Sequence, residues 1–126
     1  MKVRIARHTN DMQPIQHFYC DVLGLQQLGN FEGHNGYDGI FLGRPGLGWH
    51  LEFTTSQEAP VHKPDEDDLL VLYADSPVHY HQILERFTNH NIPPVASKNP
   101  YWNNIATTYI DPDGYRVVIS LPAPPL

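Results

Sequence analysis

The chain predicts an α+β fold made of two copies of one βαβββ unit, and three observations carry that expectation. The second half repeats the element order of the first at an offset of roughly 65 residues, a repeat length typical of paired units. Each half opens with a short apolar strand followed by a helix start that combines a capping residue with proline: Asn10-Asp11 with Pro14, then Asp75-Ser76-Pro77. Each half closes on a tight turn and a final apolar strand, the turns being Gly43–Gly48 and Asp111-Pro112-Asp113-Gly114. Paired copies of one unit suggest a pocket where they meet.

In the first half, Val3 to Arg7 is the opening strand. Pro14, Ile15, Phe18, Tyr19, Val22 and Leu23 recur at three and four, which is one stripe of an amphipathic helix. Gly24 supplies its left-handed cap. Leu25 to Phe31 and Tyr37 to Leu42 are the next strands, joined through Gly33 and Gly36. Trp49 to Thr54 alternates, with Trp49, Leu51 and Phe53 on the core face and His50, Glu52 and Thr54 opposite. Module one therefore covers about residues 1–55, and residues 56–67 form a polar linker whose expected role is to cross between the halves.

Module two covers about residues 68–121. Leu69 to Ala74 is apolar on both faces and is expected to be buried on both. A helix from Pro77 to about His90 carries Val78, Ile83, Leu84 and Phe87 inward. Pro93-Pro94 enters a short edge strand, Tyr101-Trp102-Asn103-Asn104 is an aromatic loop, and Ile105–Ile110 and Tyr115–Leu121 form a hairpin. The proline-rich end, Pro122–Leu126, is expected to be irregular.

Composition narrows the classes. At 126 residues the chain suffices for one domain with a core. A net charge of −6 with only 8 Lys and Arg argues against nucleic acid, because neutralising phosphates takes clustered cations. No apolar run approaches the ~18 residues of a membrane span, and Met1–Asn10 is too polar for a signal peptide. Cys20, the single cysteine, cannot form an internal disulfide and serves as a small packing residue, so the cytoplasm is the expected compartment.

The segment from Asp11 to Leu25, with its Phe18-Tyr19 pair and Val22-Leu23-Gly24, resembles the first signature of the vicinal oxygen chelate superfamily. Asp111-Pro112-Asp113-Gly114 is similar to the second. This superfamily includes glyoxalase I, extradiol dioxygenases and the fosfomycin and bleomycin resistance proteins. The resemblance implies two βαβββ modules curling into a mixed-sheet cup, with helices outside and ligand inside. It also implies four metal-ligand positions, on the first and last strands of each module.

Matched motif to motif, those positions hold Arg4, Glu52, Leu69 and Val118. Only Glu52 can bind a cation, since arginine repels one and leucine and valine offer no donor. No metal or other cofactor is therefore expected. If a metal binds at all, Glu52 with His8 and His50 would be the set, a two-histidine, one-carboxylate arrangement. Because the matched strands share an ion elsewhere in the superfamily, Arg4 and Glu52 are expected to be neighbours, the guanidinium replacing the cation.

By strand alternation Leu69, Val71, Tyr73 and Val118 form an apolar wall, with His50, Thr54, Arg116 and Ser120 polar. The expected ligand-binding residues are Arg4, His8, His50, Glu52, Tyr73, Trp102, Asn103 and Arg116. The leading expectation is a metal-free small-molecule binder like the bleomycin resistance proteins, assembled as a homodimer with the ligand held in the cup or at a dimer groove. A lyase or dioxygenase with a reduced metal site and a non-catalytic metabolite-binding module are the alternatives.

Overall fold

A computed structural model describes residues 1–124; the last two residues of the expected irregular end, Pro125 and Leu126, lie outside the described part. The chain divides into two compact units, one of Met1–Val61 and one beginning at His62. Each contains one sheet with helical segments packed against it.

In the first unit β1 (Val3–His8), β2 (Gln26–His34), β3 (Tyr37–Gly43) and β4 (Trp49–Thr55) form a sheet in the order β1-β4-β3-β2. β1 runs parallel to β4 and the remaining pairs are antiparallel. The helix after β1 begins as α1 (Met12–Gln16), where the Asp11 carboxylate accepts from the N–H of Gln13 at 3.1 Å. It then widens into a π-helix, His17–Val22, rather than continuing as one α-helix. The N–H of Leu23 reaches back to the carbonyl of Phe18 at 3.0 Å, and this wider turn buries Phe18 and Tyr19 together with Val22 and Leu23. Gly24 ends the helix at φ +97°, a conformation that side chains with a Cβ resist.

The core of this unit lies between that helix and one face of the sheet. Ile15, Tyr19 and Val22 meet Leu42, Leu51 and Phe53, with the Tyr19 and Phe53 rings 4.9 Å apart. Each such side chain contributes about 1.5–3 kcal/mol by leaving water. Trp49, expected in the core, is only half-buried because it opens β4 at the end of the sheet.

The second unit contains β5 (Leu69–Tyr73), α2 (Pro77–Asn89), α3 (Tyr101–Ile105), β6 (Ala106–Ile110) and β7 (Arg116–Ser120), with strand order β5-β7-β6. Ser76 caps α2 by accepting from the N–H of His79 at 3.0 Å. α2 buries Tyr80, Ile83 and Phe87. Phe87 stacks on Tyr109 of β6 with ring centroids 3.7 Å apart and planes 9° from parallel.

Four expectations are corrected here. The Tyr101–Asn104 segment is helical, so β6 starts at Ala106 and not at Ile105. The edge strand after Pro93-Pro94 shrinks to a single bridge, Val95 to Thr108, since proline supplies no ladder N–H. Val78 points outward and is 67% exposed, because it precedes the first inward turn of α2. β5 is not buried on both sides: it pairs only with β7 in this sheet, and Leu69–Leu72 remain half-buried.

The linker does more than cross. Its second part lies along the β6–β7 hairpin, with His62 Nδ1 2.9 Å from the Tyr115 hydroxyl and Glu66 3.3 Å from Arg116 Nη2. Pro64 lies over Gly114. The turn beneath is locked by Asp111, whose Oδ1 accepts from the N–H groups of Asp113 and Tyr115, both at 2.9 Å.

Candidate functional site

Strand alternation and register decide what gathers on the face of the first sheet opposite α1. Arg4, Ala6 and His8 of β1 stand beside His50, Glu52 and Thr54 of β4, and Phe41 of β3 pairs with Glu52. Arg4 Nε donates to His50 Nε2 at 2.9 Å, so the imidazole carries its proton on Nδ1. Arg4 Nη1 stands 3.8 Å from Glu52 Oε2, confirming the expected neighbours. At that distance the two are joined by charge and not by a hydrogen bond. The Arg4 side chain is 52% exposed and that of Glu52 only 14%, so the carboxylate is held in the face and the guanidinium lies over it. The guanidinium carbon sits 4.8 Å from the Phe41 ring centroid, a cation–π contact.

Beside this pair is an apolar floor that sequence reasoning missed. Gly39, Phe41 and Gly43 alternate onto the same face of β3, and the two glycines leave room for side chains from β2. The Phe31 ring lies across Gly39, where any Cβ would collide with it, and Leu28 crosses Gly43 next to His50. Phe31 and Phe41 are 5.8 Å apart. The signal was present as glycine at alternate positions around an aromatic, but locating its partners requires the β2–β3 pairing and its bulge between Gln27 and Gly29.

The remaining predicted residues are differently placed. His8 pairs opposite Thr54 and bonds to it at 2.8 Å, with Nε2 3.0 Å from Ser56 Oγ. It lies four residues along β1 from the rung that holds His50, roughly 13 Å at strand spacing. His8, His50 and Glu52 therefore do not converge. Among the described residues no three His, Cys, Asp or Glu side chains form a group able to hold a metal ion. Arg4, Glu52, Leu69 and Val118, which the resemblance matched to ligand positions, offer only the Glu52 carboxylate as a donor for a cation.

In the second unit the structure brings Tyr73 and Trp102 together, ring centroids 6.5 Å apart, and Tyr73 is 47% exposed. Asn103 and Arg116 are engaged in holding the fold. The Asn103 amide accepts from the N–H of Ser97 at 2.9 Å and donates to its carbonyl at 3.2 Å. Arg116 donates to the carbonyl of Ala96 at 3.0 Å and pairs with Glu66. Burial raises the pKa of the Cys20 thiol, with Asp21 adding to the effect, and this suits a packing role and not a nucleophile.

Sheets of four and three strands, one in each unit, together with both signatures, are those of a vicinal oxygen chelate protein. Residues 3–54 match the YycE-like N-terminal domain and residues 67–120 the YycE-like C-terminal domain. The uncharacterized protein YycE of Bacillus subtilis is 42% identical over 120 residues, covering 93% of this chain and 85% of that protein. Its crystal structure superposes with a TM-score of 0.85 at 39% identity, covering 99% of this chain and 91% of that one. The chain belongs to the YycE-like family of the vicinal oxygen chelate superfamily.

More distant structures share the fold alone. The trypanothione-dependent glyoxalase I of Leishmania major has a TM-score of 0.74 at 19% identity, covering 96% of this chain and 86% of that one. TnmS3, an antibiotic-binding protein from Streptomyces sp. CB03234, has a TM-score of 0.71 at 18% identity, covering 98% and 96%.

Proposed function

We propose that this protein is a metal-free small-molecule binder, with ligand lying on the open face of the first sheet over Phe31, Phe41 and the Arg4–Glu52 pair. The observation that carries this reading is Arg4 itself. It stands on the first strand beside Glu52 and covers an aromatic ring, which gives a polar edge beside an apolar floor. The antibiotic-binding protein TnmS3, which shares the fold, is the functional analogy. A thermal-shift screen of flat drug-like and metabolite-like compounds tests it, because a ligand that binds only the native state raises the melting temperature. Hits whose shift survives both Arg4→Met and Phe41→Ala would overturn this placement. Stoichiometric metal in protein purified without a His tag would overturn the metal-free part.

The reading includes a homodimer. β1 is an edge strand in its sheet and leaves Val3 and Ile5 47% and 45% exposed, an apolar edge of the kind that association covers. Light scattering should give twice the 14.4 kDa chain mass at micromolar concentration, and the monomer mass would contradict it. Among the described residues no helix is long and apolar enough to cross a membrane, and the lone Cys20 accords with a reducing cytoplasm.

A further inference from the structure

The hairpin that joins β2 to β3 carries a chemistry of its own. Asn35 is the only asparagine of the chain followed by glycine, and Asn35-Gly36 is the whole loop, since His34 pairs with Tyr37. Their φ angles of +51° and +84° are those of a two-residue type I′ turn, with both residues left-handed. Both are exposed at the tip. A Cβ built on Gly36 would meet nothing within 4 Å, so the side that a side chain would occupy is open space.

An asparagine is open to attack by its own chain when the next backbone nitrogen is unshielded and free of a hydrogen bond. Gly36 has no side chain to shield its nitrogen, and among the described residues none accepts from its N–H. The fold denies the other asparagines this combination. After Asn89 and Asn91, the N–H groups of His90 and Ile92 donate to the carbonyls of Arg86 and Phe87 at 3.1 and 3.0 Å. Asn99 precedes Pro100, which has no N–H. The Asn103 amide is tied on both sides to Ser97, and Asn104 precedes the β-branched Ile105 inside α3. Asn10 and Asn30 precede Asp11 and Phe31, whose side chains shield the nitrogen.

We propose that Asn35 is a site of spontaneous deamidation. The Gly36 nitrogen loses its proton to solvent base and bonds to Asn35 Cγ. The side-chain nitrogen takes up a proton and leaves as ammonia, and a five-membered succinimide remains. Water then adds to one of the ring carbonyls and opens the ring. One opening gives aspartate at position 35; the other gives isoaspartate, in which the main chain runs through the side-chain carbon. Either product adds a negative charge to a chain already at −6. The isoaspartyl form also lengthens a turn of two residues by a methylene. That change falls on the His34–Tyr37 rung and on the Gly33 N–H, which donates to Asp38 Oδ1 at 2.9 Å. The modification goes beyond the binding reading: it needs no ligand and stands whether or not the face over Phe41 binds one.

The test incubates the full-length protein, below its melting temperature in mildly alkaline buffer, beside a synthetic peptide of residues 31–40. Peptide mapping by mass spectrometry, with electron-transfer fragmentation to tell isoaspartate from aspartate, follows both. Asn35 should convert in the folded protein within about tenfold of its rate in the peptide, because loop tips open at little cost in free energy. Asn91 and Asn103 should stay intact over the same period. Gly36→Ala should slow conversion at least about tenfold, since a Cβ shields the attacking nitrogen. Should that variant not fold, Asn35→Gln keeps the glycine and should leave the tip unconverted, because ring closure would then need six members. An Asn35 that stays intact while the peptide converts would show that the turn protects it and would overturn the proposal. Conversion of Asn91 or Asn103 at a comparable rate, or undiminished conversion in Gly36→Ala, would overturn it as well.

Discussion

Arg4 and His50 lie across the β1–β4 rung from one another, and the 2.9 Å bond between Nε and Nε2 is the tightest contact the guanidinium makes on this face. Glu52, the partner expected from strand matching, is the more distant one at 3.8 Å. The diagonal geometry explains the order: Arg4 registers with His50, whereas Glu52 registers with Ala6.

Double-mutant cycles should reproduce that order. The coupling of Arg4 to His50 should exceed its coupling to Glu52, and both should stay near about 1 kcal/mol because the arginine is half in water. Arg4→Leu alone should cost more than Arg4→Leu with Glu52→Gln, since the single change strands a carboxylate that is 14% exposed. Chemical denaturation of the four variants in each cycle measures this, and purely additive effects would remove the pair from the account.

Gly39→Ala should destabilise the first unit by about 1–3 kcal/mol, the usual cost of forcing extra volume into a packed site. The new methyl would occupy space now filled by the Phe31 ring. Adding Phe31→Ala should recover part of the loss, because the clash disappears with the ring. Denaturant midpoints read this, and an additive double variant would show that the ring moves aside freely.

The strap along the β6–β7 hairpin gives a prediction for the second unit. His62 Nε2 lies 3.7 Å from Asp113 Oδ2, and its Nδ1 meets the Tyr115 hydroxyl at 2.9 Å, in a setting where both acid and imidazole are largely buried. His62→Ala should cost about 1–2 kcal/mol and speed amide exchange across the linker from His62 to Asp68. Exchange rates matching wild type over that segment would show that the imidazole does not hold it.

Alkaline pH should weaken the fold through Tyr109. Burial, with Tyr80 adding to it, pushes this phenol up to about 12 from the ordinary value of 10.0. A folded-state pKa above the unfolded one favours the protonated fold, so the contribution is complete below pH 10 and is lost as pH rises towards 12. Melting temperature should fall over that window, and Tyr109→Phe should flatten the part of the fall that belongs to this residue. An unchanged slope in the variant would assign the loss elsewhere.

How much of this was legible from residues differs by element. The helix starts were legible because a cap and its proline act within one turn: Asp11 and Ser76 both accept the backbone N–H groups that their positions predict. The Asp111–Gly114 turn was legible for the same reason, since its hydrogen bonds span four residues. Widening of the first helix into a π-turn was not, because it is driven by burying Phe18 and Tyr19 together against a sheet that forms later in the chain. Nor was the helical Tyr101–Ile105 segment, whose Asn103 is tied to the backbone of Ser97.

The site divides along the same line. From sequence alone came the two-unit α+β plan, the family resemblance and the nearness of Arg4 to Glu52. All of these follow from local chemistry or from strand alternation, which assigns each residue a face. Only the tertiary structure could show that Arg4 bonds first to His50, that His8 lies too far along its strand to join them, and that Phe31 and Leu28 cross the glycines of β3 to make the floor. Alternation names the face of a residue but not its neighbours on it. Those are set by register between β1 and β4, whose bonded residues stand 46 apart in the chain, and by a bulge in β2 that shifts Leu28 across the sheet.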